Sequence, residues 1–275
     1  IGHHVERCAA ILDIVSHGAV GDGSTLNTAS INAAIEKCAA AGGGTVLVPA
    51  GVYLTGTLHL RSHVNLHLEQ GAVLKGSSRL EDYEQAEGLN GREGIVRAGL
   101  IRGVDLTDVS ITGPGTIDGS GTAFMLPGST HAGSDFDRGF TRQKERFQPE
   151  GTAFEDGPVG YEARPAWPVW LIGCTQVRVH DITVRDAPEW TFRLDGCEDL
   201  QVRGLTIRNN PLIPNSDGVH CANCRRVRIS DCDLLCGDDC IALSNHGSRE
   251  GAMEDAVVSN CLLQSRSAAV RIDSG

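Results

Sequence analysis

From Trp170 onward the chain repeats itself. Counting from Cys174, apolar residues fall at +3, +5, +8 and +10, as Val177, Val179, Ile182 and Val184. The same offsets from Cys197 give Leu200, Val202, Leu205 and Ile207, and from Cys224 they give Val227, Ile229, Cys232 and Leu234. A fourth unit counted from Met253 gives Ala256, Val258, Cys261 and Leu263, so the anchors lie 23, 27 and 29 residues apart. Steps of two put side chains on one face of a strand, and the step of three from +5 to +8 marks a turn between two strands. Units of this length, made of short strands without helical periodicity, predict an all-β solenoid of stacked coils. The Leu/Asn ladder of leucine-rich repeats is missing. Val64–Leu68 and Val109–Gly113 read as looser upstream units. Aromatic residues make up only 4% of the chain. A solenoid explains this, because equivalent coil positions stack small and β-branched side chains.

The whole chain, 1–275, reads as one solenoid domain with two departures. Residues 1–45 differ from the repeat. Asn27 or Thr28 can cap a helix whose Ile31, Ala34, Ile35 and Cys38 share one face, and Gly42-Gly43-Gly44 ends it. Such a helix would cover the open end of a solenoid, with a strand at Thr45–Pro49 following. Residues 119–168 interrupt the repeat. They carry Phe124, Phe136, Phe140, Phe147 and Phe154 with Tyr161 and Trp167. The aromatic content predicts an ordered insertion, either a wall beside a cleft or a loop packed on the barrel.

The formal charge of −11 argues against nucleic acid as a partner, since that needs a positive face. No apolar run is long enough to span a membrane. The first residues, Ile1-Gly2-His3-His4, show no signal-peptide stretch, so they leave the compartment open. Cys221, Cys224, Cys236 and Cys240 approach the spacing of a zinc site. However, Cys224 and Cys232 fall on repeat positions, so the cysteines are expected to be buried ladder residues. No metal and no cofactor is expected.

The densest chemical cluster is Asn215-Ser216-Asp217-Gly218, followed by Cys236-Gly237-Asp238-Asp239-Cys240. Asp217 and Asp238 are 21 residues apart, close to one coil, which stacks Asp217 near the Asp238-Asp239 pair. Three close carboxylates cannot all ionise freely, so one retains a proton beside charged neighbours. That is the pairing used in glycoside hydrolysis, where one acid protonates the leaving oxygen and a carboxylate activates water. A single Asp-Gly would read as a turn. Three carboxylates at coil spacing read as a site.

These motifs resemble the N-T-D and G-D-D-C of the polygalacturonases, glycoside hydrolase family 28. The resemblance extends to Gly18-Ala19-Val20-Gly21-Asp22-Gly23, Val48-Pro49-Ala50-Gly51-Val52-Tyr53 and Gly113-Pro114-Gly115-Thr116-Ile117-Asp118-Gly119. It implies a right-handed parallel β-helix that hydrolyses pectic, galacturonic-acid-containing poly- or oligosaccharides with inversion. Asp238 would be the general acid, and Asp217 and Asp239 would activate the water. The resemblance implies a secreted or periplasmic protein, and the cysteines without an obvious pairing and the absence of a visible signal leave a cytoplasmic role open. Ser216 stands in place of threonine. The family's G-H-G histidine falls on Ala268, and its R-I-K is absent, which implies a divergent member or a chain lacking its last coils. Arg266 and Arg271 are candidates to supply positive charge. Asn215, His220 and His246 join them as candidate substrate contacts. A non-catalytic carbohydrate-binding β-helix and a β-helix lyase or epimerase are the alternatives.

Overall fold

The computed structural model describes residues 10–88, 94–130 and 159–273. Each repeat closes as one coil of a right-handed parallel β-helix, with three strands per coil. One coil comprises Phe192–Asp195, Glu198–Arg203 and Thr206–Arg208; the next comprises Val219–Ala222, Arg225–Ser230 and Asp233–Cys236. Stacking builds three parallel sheets of eight, seven and eight strands among the described residues. Val177 pairs with Leu200, Leu200 with Val227 and Val227 with Ala256, so the predicted apolar positions form continuous ladders inside the barrel. Val177, Leu200 and Val227 are fully buried. Buried area on this scale is the main stabilising term.

The turns explain the polar residues between strands. Gly173, Gly196 and Asn223 occupy one turn column, and Asp181, Gly204 and Asp231 another, all with φ between 52° and 63°. Gly, Asn and Asp tolerate this left-handed conformation better than other residues. The third strand of each coil, just before the Cys anchor, is absent from the apolar offsets. Val169–Ile172, Phe192–Asp195 and Ile241–Ser244 are buried along their whole length. A strand covered on both faces loses its alternation.

Helix Thr28–Ala40 buries Ile31, Ala34, Ile35 and Cys38, as the spacing predicts. Asn27 sits at the N-cap but does not cap the helix with its side chain. That side chain accepts from the Val20 N–H at 2.7 Å and donates to the carbonyls of Thr25 and Val20. It therefore ties the Gly21-Asp22-Gly23 turn to the helix start. At Gly43, φ is 98° and a Cβ would lie 2.3 Å from the His63 carbonyl oxygen, so the turn after the helix needs glycine.

Of the predicted insertion, Phe136, Phe140, Phe147 and Phe154 lie outside the described residues. Its ends form an antiparallel pair, Met125–Thr130 with Val159–Tyr161. Phe124 packs edge-on against Tyr83. Trp167 is buried, edge-on to Trp170 at 4.7 Å and under the Arg193 guanidinium at 4.5 Å. The described cysteines are free thiols, and all but Cys261 are buried. No described helix is long and apolar enough to cross a membrane.

Candidate active site

Two motif segments carry the site. Segment 209–218 leads into strand Val219–Ala222 and is fastened from several directions. The Asn209 amide donates to Thr191 Oγ1 at 2.7 Å and to the Ser216 carbonyl at 3.1 Å. The Thr191 N–H donates to the Asp217 carbonyl at 2.9 Å. Arg164, itself buried, donates to the carbonyls of Pro188 and Pro214 at 2.7 and 2.6 Å. The Ser216 hydroxyl donates to the Ile213 carbonyl at 2.8 Å and accepts from Gly237 N–H at 3.2 Å. That hydroxyl joins the two segments, which is why serine serves where the family has threonine. A Cβ on Gly237 would lie 2.3 Å from Ser216 Oγ, so the segments meet only with glycine there.

Register then sets the carboxylates. Phe192 pairs with Val219, Val219 with Ile241 and Ile241 with Val270. Two residues earlier, the same column holds Trp190, Asp217, Asp239 and Ala268. The step from coil to coil is therefore 22 residues here, and Asp217 stacks on Asp239 rather than on Asp238. Asp238 is half-buried and faces the cleft beside Asn215, whose amide donates to it at 3.5 Å. Carboxylate oxygens of Asp217, Asp238 and Asp239 all lie within 4.8 Å of one another. Among the described residues this is the one group of His, Cys, Asp and Glu side chains close enough to hold a metal ion. The cysteines of the zinc-like spacing point into the barrel core instead.

Asp239 is buried. It accepts from the Ala268 backbone N–H at 3.0 Å and pairs with Arg271 at 3.4 Å. Where the family's histidine would fall, the chain supplies a main-chain donor. Asp217 is held well above the usual carboxylate range, first by burial and then by the charges of Asp238, Asp239 and Glu189. His220 stacks on Trp190 with ring centroids 4.0 Å apart, and its Nε2 lies 3.0 Å from Ser244 Oγ. Its Nδ1 lies 3.8 Å from Asp217 Oδ2. Burial, then Arg193 and Arg271, lower its pKa to about 3, so the ring is neutral. Asp217 Oδ1 and His220 Nδ1 are both buried without a hydrogen-bond partner among the described residues.

These groups line a cleft of about 680 Å³. Asn215, Asp217, Asp238, Asp239, His220, His246 and Arg271 all border it. Arg266 does not: it is buried and donates to the Pro211 carbonyl at 3.1 Å, which gives it a place under the site rather than in it. Trp190, the aromatic wall, escaped the sequence reading. Its signal is its place 27 residues before Asp217, the same step that separates Cys197 from Cys224.

The site is thus a carboxylate triad beside an aromatic-walled cleft on a parallel β-helix. Residues 161–265 match the profile of Glycosyl hydrolases family 28. Residues 11–114 match that of the rhamnogalacturonase A/epimerase, pectate lyase-like proteins. A probable polygalacturonase of Vitis vinifera is 33% identical over 242 residues, which cover 84% of this chain and 44% of the relative. An exo-poly-alpha-D-galacturonosidase of Dickeya chrysanthemi is 30% identical over 196 residues, covering 64% of this chain and 32% of the relative. The chain thus spans less than half the length of these curated relatives. The crystal structure of a hyperthermoactive exopolygalacturonase from Thermotoga maritima superposes with a TM-score of 0.75 at 26% identity, covering 97% of this chain and 62% of the other. The chain is similar to glycosyl hydrolases family 28, through the profile match over residues 161–265 and through these relatives.

Proposed function

We propose that this protein hydrolyses galacturonic-acid-containing pectic poly- or oligosaccharides. The observation that carries the reading is the triad itself: three carboxylates with oxygens within 4.8 Å, in the floor of an open cleft. Asp238 is the general acid, and Asp217 and Asp239 hold the attacking water. Burial, then the charges of Asp238, Asp239 and Glu189, favour the protonated form of Asp217, whereas the family resemblance assigns the acid to Asp238. The neighbouring carboxylates share the proton, and Asp238, facing the cleft, hands it to the glycosidic oxygen.

Reducing-sugar release from polygalacturonate, oligogalacturonides and rhamnogalacturonan fragments tests this. Asp238→Asn should reduce release by about 10²–10⁴-fold, the usual worth of an acid–base group. Undiminished release would sink the assignment. Binding without turnover would favour a carbohydrate-binding role. A rise in ultraviolet absorbance from unsaturated product would favour a lyase. The stereochemical course is a separate matter. The triad is tighter than the separation of roughly 6.5–9.5 Å usual for inversion, so inversion rests on the family resemblance. Proton NMR of the first-formed sugar checks it: inversion at an α-linkage releases the β-anomer.

A further inference from the structure

The turns joining the cleft-bearing sheet to the next sheet take two residues in three successive coils: Gly173-Cys174, Gly196-Cys197 and Asn223-Cys224. In the following coil the same connection runs from Asn245 to Met253. It does not project into solvent but folds back along the helix axis over the earlier turns. Asn223 Nδ2 donates to the Arg249 carbonyl at 2.5 Å. Asp195, wholly buried, accepts from Ser248 N–H at 2.9 Å and from Ser248 Oγ at 2.8 Å. Its other partner is the buried Arg193 guanidinium at 3.0 Å. Further along, Arg249 pairs with Asp105 at 2.6 Å. Gly196 admits the crossing, since a Cβ there would lie 2.7 Å from the Arg249 side chain. A long connection tied at this many points is preorganised rather than loose.

The segment carries His246 and Gly247 into the cleft lining. His246 Nε2 lies 3.4 Å from Asp273, which also takes Arg271 at 3.3 Å. His220 is neutral, so His246 and Arg271 are the described lining residues able to offer positive charge beside Asp217, Asp238, Asp239 and Asp273. We infer that residues 245–251 form a fixed strap whose tethers hold His246 as a specificity-determining contact for a carboxylate of a uronic acid residue in the substrate. The inference rests on the glycan-cleaving reading of the cleft.

The test is steady-state kinetics on an oligogalacturonide and on its methyl ester. His246→Ala should raise KM for the free acid about tenfold, the effect of about 1.4 kcal/mol, with kcat within about twofold and the ester unaffected. Ser248→Ala removes one tether without altering the His246 side chain itself, and it should shift KM for the free acid in the same sense by a smaller factor, with the ester unaffected. Equal effects on acid and ester, or a fall in kcat at constant KM, would overturn the strap's role. If the unaltered protein cleaves neither compound, the hydrolase reading fails on its own. Calorimetric binding of the free-acid oligomer then decides: weaker binding by His246→Ala upholds the contact, and equal or absent binding overturns it.

Discussion

Asp217 and His220 face one another in a place where burial disfavours charge on both, and the consequences for stability run in opposite directions with pH. The folded-state pKa of His220, about 3, lies below its ordinary 6.5. The unfolded chain therefore binds a proton that the folded one refuses, and stability falls as the pH drops from 6.5 toward 3. Asp217 is raised above 3.8, so the folded chain keeps a proton that the unfolded one releases, and its cost grows as the pH rises past 3.8. Scanning calorimetry at pH 7 and pH 4 should show both effects. His220→Gln should lose less thermal stability than the parent on acidification. Asp217→Asn should gain more at pH 7 than at pH 4, and the reverse order would show that burial is not the cause. The acid cluster was legible from residue type and spacing alone. Two features were not. Ala268 contributes through its backbone N–H, which no side-chain motif encodes. Arg266 reads as a cation for the substrate because nothing in its neighbourhood announces that its guanidinium is buried against the Pro211 carbonyl.

Among the elements, the apolar ladders are the most readable part of the fold, because their period of two survives wherever one strand face meets the barrel interior and the other meets water. The strands of the cleft sheet lack that contrast and left no periodic trace. Phe192–Asp195 shows why: its outward residues, Arg193 and Asp195, are as buried as its inward ones. Arg193 is covered by Trp167 and Trp190, and Asp195 by the strap. Two substitutions separate these regimes. Leu200→Ala, in a ladder, should cost about 2–5 kcal/mol in urea unfolding through lost burial and a cavity. Asp195→Ala should cost about 3–5 kcal/mol by stranding the Arg193 guanidinium in the interior. It should also free the strap, which hydrogen exchange at residues 245–251 would register. A change at Asp195 confined to global stability would separate the buried pair from the strap.

At the scale of the whole molecule, each coil touches mainly its neighbours, so stability is distributed along the axis rather than pooled in one centre. The coil formed by Glu254–Ser259 and Leu262–Ser265 leaves the ladder residue Ala256 exposed, whereas its equivalents in the two preceding coils, Val227 and Leu200, are fully buried. Amide exchange should be fastest there and slowest over residues 198–208. Uniform protection along the axis would mean that the barrel opens as one unit. The repeat made this architecture visible from sequence, but the strap was invisible, because a nine-residue connection reads like any other polar loop until its partners Asn223, Asp195 and Asp105, one, two and four coils away, are known. The cysteines give the same axis a set of markers. Cys174, Cys197, Cys224 and Cys261 each belong to a different coil; hydrogen bonding between neighbouring thiols and then burial push Cys174 and Cys197 up out of reactive range, and burial first of all does so for Cys224. A thiol-labelling reagent added during slow denaturation would therefore work as a stratigraphic probe. The order in which these sulfurs become labelled would record the order in which the layers of the barrel come apart.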